Sequence, residues 1–251
     1  MSALLADKRC LVTGGARNLG RSLCLALARA GARVAFTYCK SEDDARETER
    51  QLSLLCDVAP MSFCGSVADS QHAAAVVKAL VADWGGLDVL INNAGVFHTL
   101  PFALIDEPDW DAVMDVCAKG PYLFARAALR PMMRQRRGHI LNIGAFSEGR
   151  NAVQLPAHFA AAKAALFGFT RALAHEVGRR GIQVNYLAPG LLKRGLARRL
   201  PASRVDEFVA HCASGRLAST DEIAAIATWL VSGDNPLMTG ANILADGGIL
   251  A

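Results

Sequence analysis

The sequence lacks a long apolar run, a paired cysteine motif and a concentrated block of charge. A membrane-spanning helix needs about 18 apolar residues in succession, and no apolar run here reaches that length. The opening residues, MSALLADKRC, do not place an apolar run after a basic segment, as a secretory signal would. We therefore expect neither a signal peptide nor a membrane span, and we expect a cytoplasmic protein.

Cysteine is present, but not in a pattern that builds a metal site or a disulfide framework. The seven cysteines are scattered, and neither a Cys-x-x-Cys pair nor a histidine at ligand spacing accompanies them. They are Cys10, Cys24, Cys39, Cys56, Cys64, Cys117 and Cys212. Because the cysteines are odd in number, scattered and without metal-ligand spacing, we predict neither a disulfide framework nor a structural zinc site and assign no metal.

The charge balance is mild. Lysine and arginine number 27 against 23 aspartates and glutamates, which gives a net charge of +4 and a pI near 8.8. Without a concentrated patch, this bias does not indicate a nucleic acid or an anionic membrane as partner. Hydrophobic residues make up 52% and charged residues 20% of the chain, which excludes a disordered or fibrous protein.

Short apolar runs rich in β-branched residues alternate with longer Ala/Leu-rich segments of helical period. This alternation predicts an α/β fold, a Rossmann-type doubly wound parallel sheet of seven strands with helices on both faces. We predict strands over Arg9–Thr13, Arg33–Tyr38, Met61–Cys64, Asp88–Ile91, His139–Ile143, Gln183–Leu187 and Asn242–Ala245. We predict helices over Leu19–Ala30, Asp43–Leu54, Gln71–Trp84, Trp110–Arg134, Ala157–Arg179 and Asp221–Val231, with two shorter helices between Lys193 and Cys212. No linker or repeat interrupts the pattern, so we expect a single domain over residues 1–251.

A glycine-rich turn follows the first predicted strand. It reads Thr13-Gly14-Gly15-Ala16-Arg17-Asn18-Leu19-Gly20 and leads directly into a helix. In this context backbone N–H groups and a helix N-terminus can bind a pyrophosphate. The turn departs from Gly-x-Gly-x-x-Gly because Ala16 stands at the second glycine, so this segment alone is a moderate signal.

Three further motifs follow in register with that turn. They are Asn92-Asn93-Ala94-Gly95, Asn185-x-x-x-Pro189-Gly190 and Asp246-Gly247-Gly248. In order and spacing, the four motifs resemble those of the short-chain dehydrogenase/reductase family, and within it the β-ketoacyl-carrier-protein reductases and pteridine reductases. The resemblance covers essentially the whole chain. It implies a nicotinamide dinucleotide as cofactor and an oxidoreductase activity.

The resemblance also implies which residues bind the cofactor. They are Gly14, Ala16, Arg17, Asn18, Leu19, Gly20, Tyr38, Lys40, Ser41, Ser66, Val67, Asn93, Ala94, Gly95, Lys163, Pro189, Gly190 and Leu192. Two of these positions depart from the family pattern. Asn18 replaces a glycine, and asparagine is the residue that best tolerates positive φ apart from glycine. Ser66 stands where the family has an aspartate near the adenine, and it can still offer a hydroxyl.

The end of the second predicted strand indicates which dinucleotide binds. An NAD site places a carboxylate there for the ribose 2′-hydroxyl, whereas this chain has Thr37-Tyr38-Cys39-Lys40-Ser41 and no acid. By the resemblance, Arg17 and Lys40 flank a 2′-phosphate instead, which favours NADP(H). The alternative is that both are ordinary solvated cations.

The same resemblance implies a catalytic set of Tyr, Lys, Ser and Asn, of which only the lysine is present. Lys163 is in place, but Phe159 stands at the Tyr position, Ala145 at the Ser position and Cys117 at the Asn position. Ser147 could replace the missing serine only if its loop shifted by two residues. Arg194 replaces the Thr that would meet the carboxamide. The usual ketone reduction therefore lacks its acid and its oxyanion partner.

Several residues are candidates for replacing that acid. His98 follows the Asn-Asn-Ala-Gly motif at a strand end, where ligands bind in such sheets. Ser147 with Glu148 lies in the loop after the fifth strand. His158 adjoins Phe159 but points about 100° away on a helix, so we expect it at the surface or an interface. Cys117 could be a nucleophile, although a buried cysteine is commonly a small hydrophobic residue.

Basic residues indicate the class of substrate. Arg136 and Arg180 match two positions that dock an acidic carrier protein in β-ketoacyl-carrier-protein reductases, although cations are also simply favoured at helix C-termini. Further cations lie in a segment near 191–213 that covers the substrate in this family: Lys193, Arg194, Arg198 and Arg199. Homologues are usually tetramers, so we expect a homotetramer or a mixed assembly with an active paralogue.

Two functions remain open from the sequence. The first is an atypical NADP(H)-dependent oxidoreductase that acts on a carbonyl or a conjugated C=C bond of a small or carrier-linked acyl or polyketide-like substrate. The second is a non-redox protein with the same fold, either a pseudoenzyme partner of an active paralogue or a lyase, isomerase or cyclase.

Overall fold

The computed structural model describes residues 4–56, 58–145 and 155–249. Its centre is a parallel sheet of seven strands in the order β3-β2-β1-β4-β5-β6-β7. The strands are β1 Arg9–Val12, β2 Arg33–Tyr38, β3 Met61–Cys64, β4 Val89–Asn92, β5 Gly138–Ile143, β6 Ile182–Pro189 and β7 Asn242–Ala245. The predicted fold class and all seven predicted strands are confirmed to within two residues.

Helices connect the strands and cover both faces of the sheet. They are α1 Asn18–Arg29, α2 Glu42–Ser53, α3 Ser70–Trp84, α4 Glu107–Met114, α5 Gly120–Gln135, α6 Ala157–Val177, α7 Ala202–His211 and α8 Thr220–Leu230. Short 3₁₀ turns occur at Phe102–Leu104, Gly178–Arg180 and Leu196–Arg199. The two predicted short helices before Cys212 are this last turn and α7.

One predicted helix differs from the structure. We predicted a single helix over Trp110–Arg134, but the helix begins at Glu107 and is interrupted by a π-helical turn at Asp115–Lys119. It begins earlier because Asp106 accepts a hydrogen bond of 2.8 Å from the Asp109 N–H and so caps the first turn. Pro108 in the first turn also suits that position, because its missing N–H is not needed there.

The core consists of two apolar layers, one on each face of the sheet. Residues of α1, α2 and α8 pack on one face, and residues of α3, α5 and α6 pack on the other. Burial on both faces explains why the strands are continuous apolar runs. No helix in the described ranges is long and apolar enough to cross a membrane.

The chain reverses its winding between β1 and β4. β1 pairs with β2 on one side and with β4 on the other, so the loops after β1 and β4 leave the sheet in opposite directions. A crevice forms at such a reversal, outside the carboxyl ends of the strands, and ligands bind there in open α/β sheets.

At the amino ends of the strands, opposite the crevice, a buried ion pair joins β1 to the residue before β4. Arg9 at the start of β1 donates to Asp88 through its Nε at 2.6 Å and a terminal nitrogen at 2.9 Å. The Gln135 side chain accepts from Leu87 N–H at 3.1 Å and donates to the Leu87 carbonyl at 2.9 Å. These contacts hold the last residue of α5 against the amino ends of β1 and β4.

Candidate functional site

A cleft of about 230 Å³ opens at the carboxyl edge of the sheet, at the reversal of winding. The predicted cofactor residues that line it are Asn18, Leu19, Asn93, Gly95, Lys163, Pro189, Gly190 and Leu192. The predicted catalytic residues that line it are Ala145, Phe159 and Lys163. Residues from the ends of four strands and from α6 therefore meet in one place.

The glycine-rich turn has the close contacts that require glycine. Gly14 has a φ of +67°, and a Cβ there would lie 2.9 Å from the Ala94 Cα. A Cβ at Gly20 would collide with the Gly14 carbonyl, so glycine lets α1 begin directly against the turn. Asn18 has a φ of +48°, which confirms that this asparagine occupies a left-handed position.

Asn93 joins this turn to the loop after β4. Its side-chain amide donates to the carbonyls of Thr13 at 3.0 Å and Gly14 at 3.1 Å. In return, the Thr13 hydroxyl accepts from the N–H groups of Asn93 and Ala94. The shape of the turn is thus set by side chains, and the first-turn N–H groups of α1 have no acceptor within the helix.

A second group of predicted cofactor residues lies at the same edge, beyond the cleft. Arg17 and Lys40 are exposed, and neither makes an ion pair with any carboxylate in the described ranges. Ser66 accepts a hydrogen bond from the Ala68 N–H at 3.2 Å. The remaining members, Ala16, Tyr38, Ser41 and Val67, range from buried to half-buried.

Lys163 is a buried cation in the wall of the cleft. Its side chain comes from α6, is only 5% exposed and donates to the Ile143 carbonyl at 2.8 Å. Its Nζ atom lies 5.5 Å from the centre of the Phe159 ring. Phe159 is one turn earlier on the same helix, so the spacing that suggested a catalytic pair does bring the two side chains together.

No hydroxyl occupies the two positions beside Lys163. The Phe159 ring packs edge-on against Phe97 with the ring centres 4.9 Å apart, which makes this wall of the cleft aromatic. The Ala145 methyl faces the same small apolar cluster, and its N–H donates to the buried Tyr186 hydroxyl at 3.3 Å. Ser147 and Glu148, the candidates for compensation, lie outside the described residues.

Cys117 lies behind the cleft. It is fully buried on the π-helical turn, and its Sγ atom donates to the Val96 carbonyl at 3.5 Å. It does not line the cavity, and Val113 and Phe159 belong to the apolar cluster around it. This environment is that of a small hydrophobic residue.

The position predicted for His158 is wrong. We expected this residue at the surface or an interface, but it is fully buried within the chain. Its ring centre lies 6.2 Å from that of His98, in the segment after β4. Burial is the main cause that lowers the pKa of His158, and the nearby His98 adds to it while Asp109 opposes it.

His98 is held by a carboxylate beside the cleft. Its Nδ1 atom lies 2.9 Å from Asp109 Oδ1, and its side chain is 38% exposed. His98 itself does not line the cavity, but its neighbour Phe97 does. When Nδ1 carries the proton that Asp109 accepts, Nε2 is the nitrogen that remains for other partners.

The substrate-covering segment predicted near 191–213 borders the cleft. Leu191, Leu192 and Arg194 line the cavity, and Phe208 of α7 packs against Leu191 in a small apolar cluster. A bridge between Leu192 and Ala218 fixes the start of the segment. The cations Lys193, Arg194 and Arg198 are exposed.

Arg136 and Arg180 lie together at the amino ends of the strands, on the side of the sheet opposite the cleft. They precede β5 and β6, and the backbone around Gly181 touches the Arg136 carbonyl so closely that a Cβ there would collide. The structure thus brings the two arginines together, but at the amino ends of the strands. They do not border the cleft of their own chain.

Sequence reasoning missed several residues of the cleft. Phe97, Leu155 and Leu191 line it, and the Tyr186 hydroxyl accepts a hydrogen bond from the N–H of Ala145 in its wall. Phe97 and Leu191 lie just after strands, which is where ligand-contacting residues are expected in such a sheet, so their position was a usable signal. No local pattern marked Tyr186, because it lies on β6 and contacts Ala145, which follows the neighbouring strand β5.

The chain is similar to known proteins over nearly its whole length. Residues 14–250 match the family model described as enoyl-(acyl carrier protein) reductase. The chain is 32% identical over 246 residues to the 3-oxoacyl-(acyl-carrier-protein) reductase FabG of Vibrio cholerae serotype O1, covering 98% of both. It is 33% identical over 244 residues to the FabG of Staphylococcus aureus strain Mu50, covering 96% of this chain and 98% of that protein.

A solved structure is similar as well. It is that of a protein provisionally named a short-chain alcohol dehydrogenase, from Sinorhizobium meliloti 1021. The TM-score is 0.90 at 32% identity, covering 98% of this chain and 97% of that one. The likeness therefore extends through the sheet, the crevice and the segment beyond β6.

Proposed function

Because the chain belongs to the short-chain dehydrogenase/reductase family, a family of oxidoreductases, we propose that it is an NADP(H)-dependent member with an atypical catalytic site. Its substrate is a carbonyl or conjugated C=C compound of the acyl or polyketide-like class, small or linked to a carrier protein. The observation that carries the proposal is Lys163, a buried cation kept at the cleft wall beside a phenylalanine ring. Its ammonium donates to the Ile143 carbonyl and lines the cleft, so it is placed to donate also to a hydroxyl of a bound ribose.

The cofactor half of the cleft fits a dinucleotide. The Gly14 turn and the start of α1 form a cradle that a Cβ would fill, and Asn93 fixes its shape. Such a cradle suits a pyrophosphate. Lys163 would hold the ribose next to the nicotinamide, and Gly95 and Pro189 would enclose that end. When bound, the cofactor supplies or accepts a hydride.

Arg17 and Lys40 support NADP(H) rather than NAD(H). Both are exposed at the edge where β1 and β2 end, and no described carboxylate neutralises either one. The segment between Tyr38 and Ser41 contains no acid that would accept from a ribose 2′-hydroxyl. A 2′-phosphate would therefore find two free cations, whereas a 2′-hydroxyl would lack its usual acceptor.

The chemistry of the reduction follows from which groups the cleft offers. Phe159 cannot donate a proton and Ala145 cannot polarise an oxygen, so direct ketone reduction lacks its assistance. Addition of hydride to a conjugated C=C bond places negative charge on a carbonyl remote from the carbon that is reduced. That reaction depends less on a donor at the Phe159 position. The final proton then goes from solvent to the neighbouring carbon.

Carrier docking adds a geometric requirement. Arg136 and Arg180 face away from the cleft of their own chain, so an acidic carrier bound there would serve the cleft of a neighbouring copy. A homotetramer, or an assembly with an active paralogue, would supply that neighbour. The names of the relatives, reductases of acyl groups on a carrier protein, support this class of substrate.

The test is single-turnover mixing of the protein with NADPH and either an enoyl or a β-ketoacyl thioester. We expect NADPH to bind, and hydride transfer to be faster with the enoyl thioester than with the ketoacyl thioester. Rapid reduction of the ketoacyl thioester would show that another group supplies the proton. Absence of NADPH binding at millimolar concentration would abandon the redox function in favour of the non-redox alternative, a pseudoenzyme partner or a lyase-type enzyme.

A further inference from the structure

Tyr186 is a fully buried tyrosine that contacts two residues of the cleft wall. It lies on β6, where its backbone pairs with Asn142 on the neighbouring strand β5. Its hydroxyl accepts a hydrogen bond from the Ala145 N–H at 3.3 Å and donates one to the Lys163 carbonyl at 3.3 Å. A single hydroxyl therefore joins the segment after β5 to the helix α6.

The side chain of Lys163 makes a second connection between the same two elements. Its Nζ atom donates at 2.8 Å to the carbonyl of Ile143, the last residue of β5. The Lys163 carbonyl accepts from the Tyr186 hydroxyl, which in turn accepts from the N–H two residues after Ile143. Both the backbone and the side chain of Lys163 are thus tied to residues 143–145. Together these contacts close a ring between α6 and the end of β5.

Packing holds the Tyr186 ring where its hydroxyl makes these contacts. A Cβ at Gly144 would collide with the ring, so the backbone after β5 passes directly against it. The Phe167 ring of α6 packs edge-on against Tyr186, with the ring centres 5.5 Å apart. Because close-packed side chains have little room to move, the distance between α6 and the end of β5 cannot change without breaking one of these contacts.

This distance matters because Lys163 is a buried cation that lines the cleft. An ammonium on a flexible four-carbon stem has several possible positions, and a fixed backbone with a fixed acceptor selects one of them. Hydrogen bonds from N–H groups need a separation of about 2.9 Å and weaken when the donor moves away. The Nζ atom therefore stays at the cleft wall only while α6 keeps its distance from the Ile143 carbonyl.

We propose that Tyr186 is a positioning residue for Lys163. Its hydroxyl keeps α6 at a constant distance from the end of β5, which holds the Lys163 ammonium where a bound ribose would meet it. The effect on cofactor binding rests on the proposed function, but the placement of the ammonium does not. Tyr186 is not among the described residues that line the cleft, so it acts through its neighbours.

The first experiment measures the reactivity of Lys163 without a cofactor. Reductive methylation of the full chain, followed by peptide mass spectrometry, gives the rate at Lys163 relative to the exposed Lys78. Tyr186→Phe keeps the ring and removes the hydroxyl, so the ammonium should leave its carbonyl more often. We expect the relative rate to rise by about threefold or more.

The matched control is Thr170→Val. It removes another buried hydroxyl of α6, one that accepts a hydrogen bond from the Asn142 side chain of β5 at 2.8 Å. This variant loses a connection between the same helix and the same strand, but at a position about two turns away from Lys163. We expect the relative methylation rate at Lys163 to stay at the wild-type value.

The second experiment titrates NADPH in a double-mutant cycle. Tyr186→Phe should weaken NADPH binding by about threefold in the wild-type background. With Lys163→Met already present, the same change should weaken it by less than about 1.5-fold, because a positioning residue has no effect once the residue that it positions is absent. Thr170→Val should bind NADPH as the wild type does.

An unchanged methylation rate at Lys163 in Tyr186→Phe would overturn the proposal, as would an equal rise in Thr170→Val. Equal losses of NADPH affinity with and without Lys163→Met would also overturn it, since Tyr186 would then affect the cleft by another route. If the wild type bound no NADPH at millimolar concentration, the proposed function would fail, whereas the methylation rates would still decide whether Tyr186 positions Lys163.

Discussion

Lys163 holds its Nζ atom 2.8 Å from the Ile143 carbonyl and 5.5 Å from the centre of the Phe159 ring. A hydroxyl added to that ring would therefore lie near a cation that lowers its pKa. We predict that the triple change Phe159→Tyr, Ala145→Ser, Cys117→Asn raises β-ketoacyl thioester reduction by about 100-fold, the scale of general acid catalysis. The measurement is the initial rate of NADPH oxidation.

The matched control for this change is Phe97→Tyr. It adds a hydroxyl to the neighbouring ring of the same aromatic wall, but Phe97 is not one turn from Lys163. We expect it to leave the rate of ketoacyl reduction unchanged. An equal gain from Phe97→Tyr would mean that any added donor suffices and that the relation to Lys163 is irrelevant.

Arg17 governs the choice of dinucleotide in the second prediction. Charge-assisted contacts contribute about 1.5–3 kcal/mol each, so we expect NADPH to bind at least about tenfold more tightly than NADH. Arg17→Ala should lose most of that preference, whereas Arg29→Ala should keep it. Fluorescence titration with both cofactors measures this, and equal affinities for the two cofactors in the wild type would refute it.

The third prediction separates the cofactor role of Lys163 from a structural one. Lys163→Met keeps the length of the side chain and removes a buried charge, which is costly to bury. We expect NADPH affinity to fall about fivefold or more, an effect of at least about 1 kcal/mol. The free energy of unfolding should change little, because the lost hydrogen bond to the Ile143 carbonyl offsets the removal of a buried charge. A loss of stability with unchanged affinity would assign the lysine to the fold alone. Titration and urea denaturation of the same preparation provide both values.

Asp88 is the source of a fourth prediction. Burial raises the pKa of its carboxyl, but hydrogen bonds from Arg9 and the charge of Arg137 outweigh that effect and hold the pKa below the ordinary value. Removal of one partner of a buried pair costs about 3–5 kcal/mol, so Asp88→Ala should reduce the free energy of unfolding by about 3 kcal/mol. Denaturation in urea at neutral pH measures the loss.

The direction of the pH dependence follows from the lowered pKa. A carboxyl whose pKa is lower in the folded state stabilises the protein above its unfolded pKa of about 4. This contribution is lost as the pH falls through the folded pKa. The wild type should therefore lose stability below about pH 4 more steeply than Asp88→Ala. If the free energy of unfolding fell with the same slope in the two proteins, the lowered pKa of Asp88 would be contradicted.

His158 also has a lowered pKa and gives a fifth prediction, in a higher range of pH. Because burial lowers its pKa, the unfolded chain binds this proton more readily than the folded chain does. Stability should therefore fall as the pH drops below the ordinary histidine pKa of about 6.5, and His158→Phe should make that fall shallower. Thermal denaturation between pH 7 and pH 5 provides the comparison.

Local sequence signals predicted most of the fold, because the strands are buried runs and the helices have caps or clear periods. The shape of the glycine-rich turn was predictable for the same reason. Its features, from Gly14 to Gly20, are backbone requirements of one short turn. The pairing of Phe159 with Lys163 was predictable because both lie on one helix at a spacing of four residues.

Features that depend on contacts distant in sequence were not predictable. His158 is buried and its ring lies near that of His98 in the segment after β4, a contact that no helical period reveals. Tyr186 reaches Ala145 from another strand.

The π-helical turn at Asp115–Lys119 restricts how the length of this region can change. Each residue of a helix adds about 100° of rotation, so deletion of Ala118 would turn all of α5 by that angle relative to α4. Phe124 and Met132, both fully buried, would then leave the core. We infer that this junction tolerates substitutions far better than single-residue insertions or deletions.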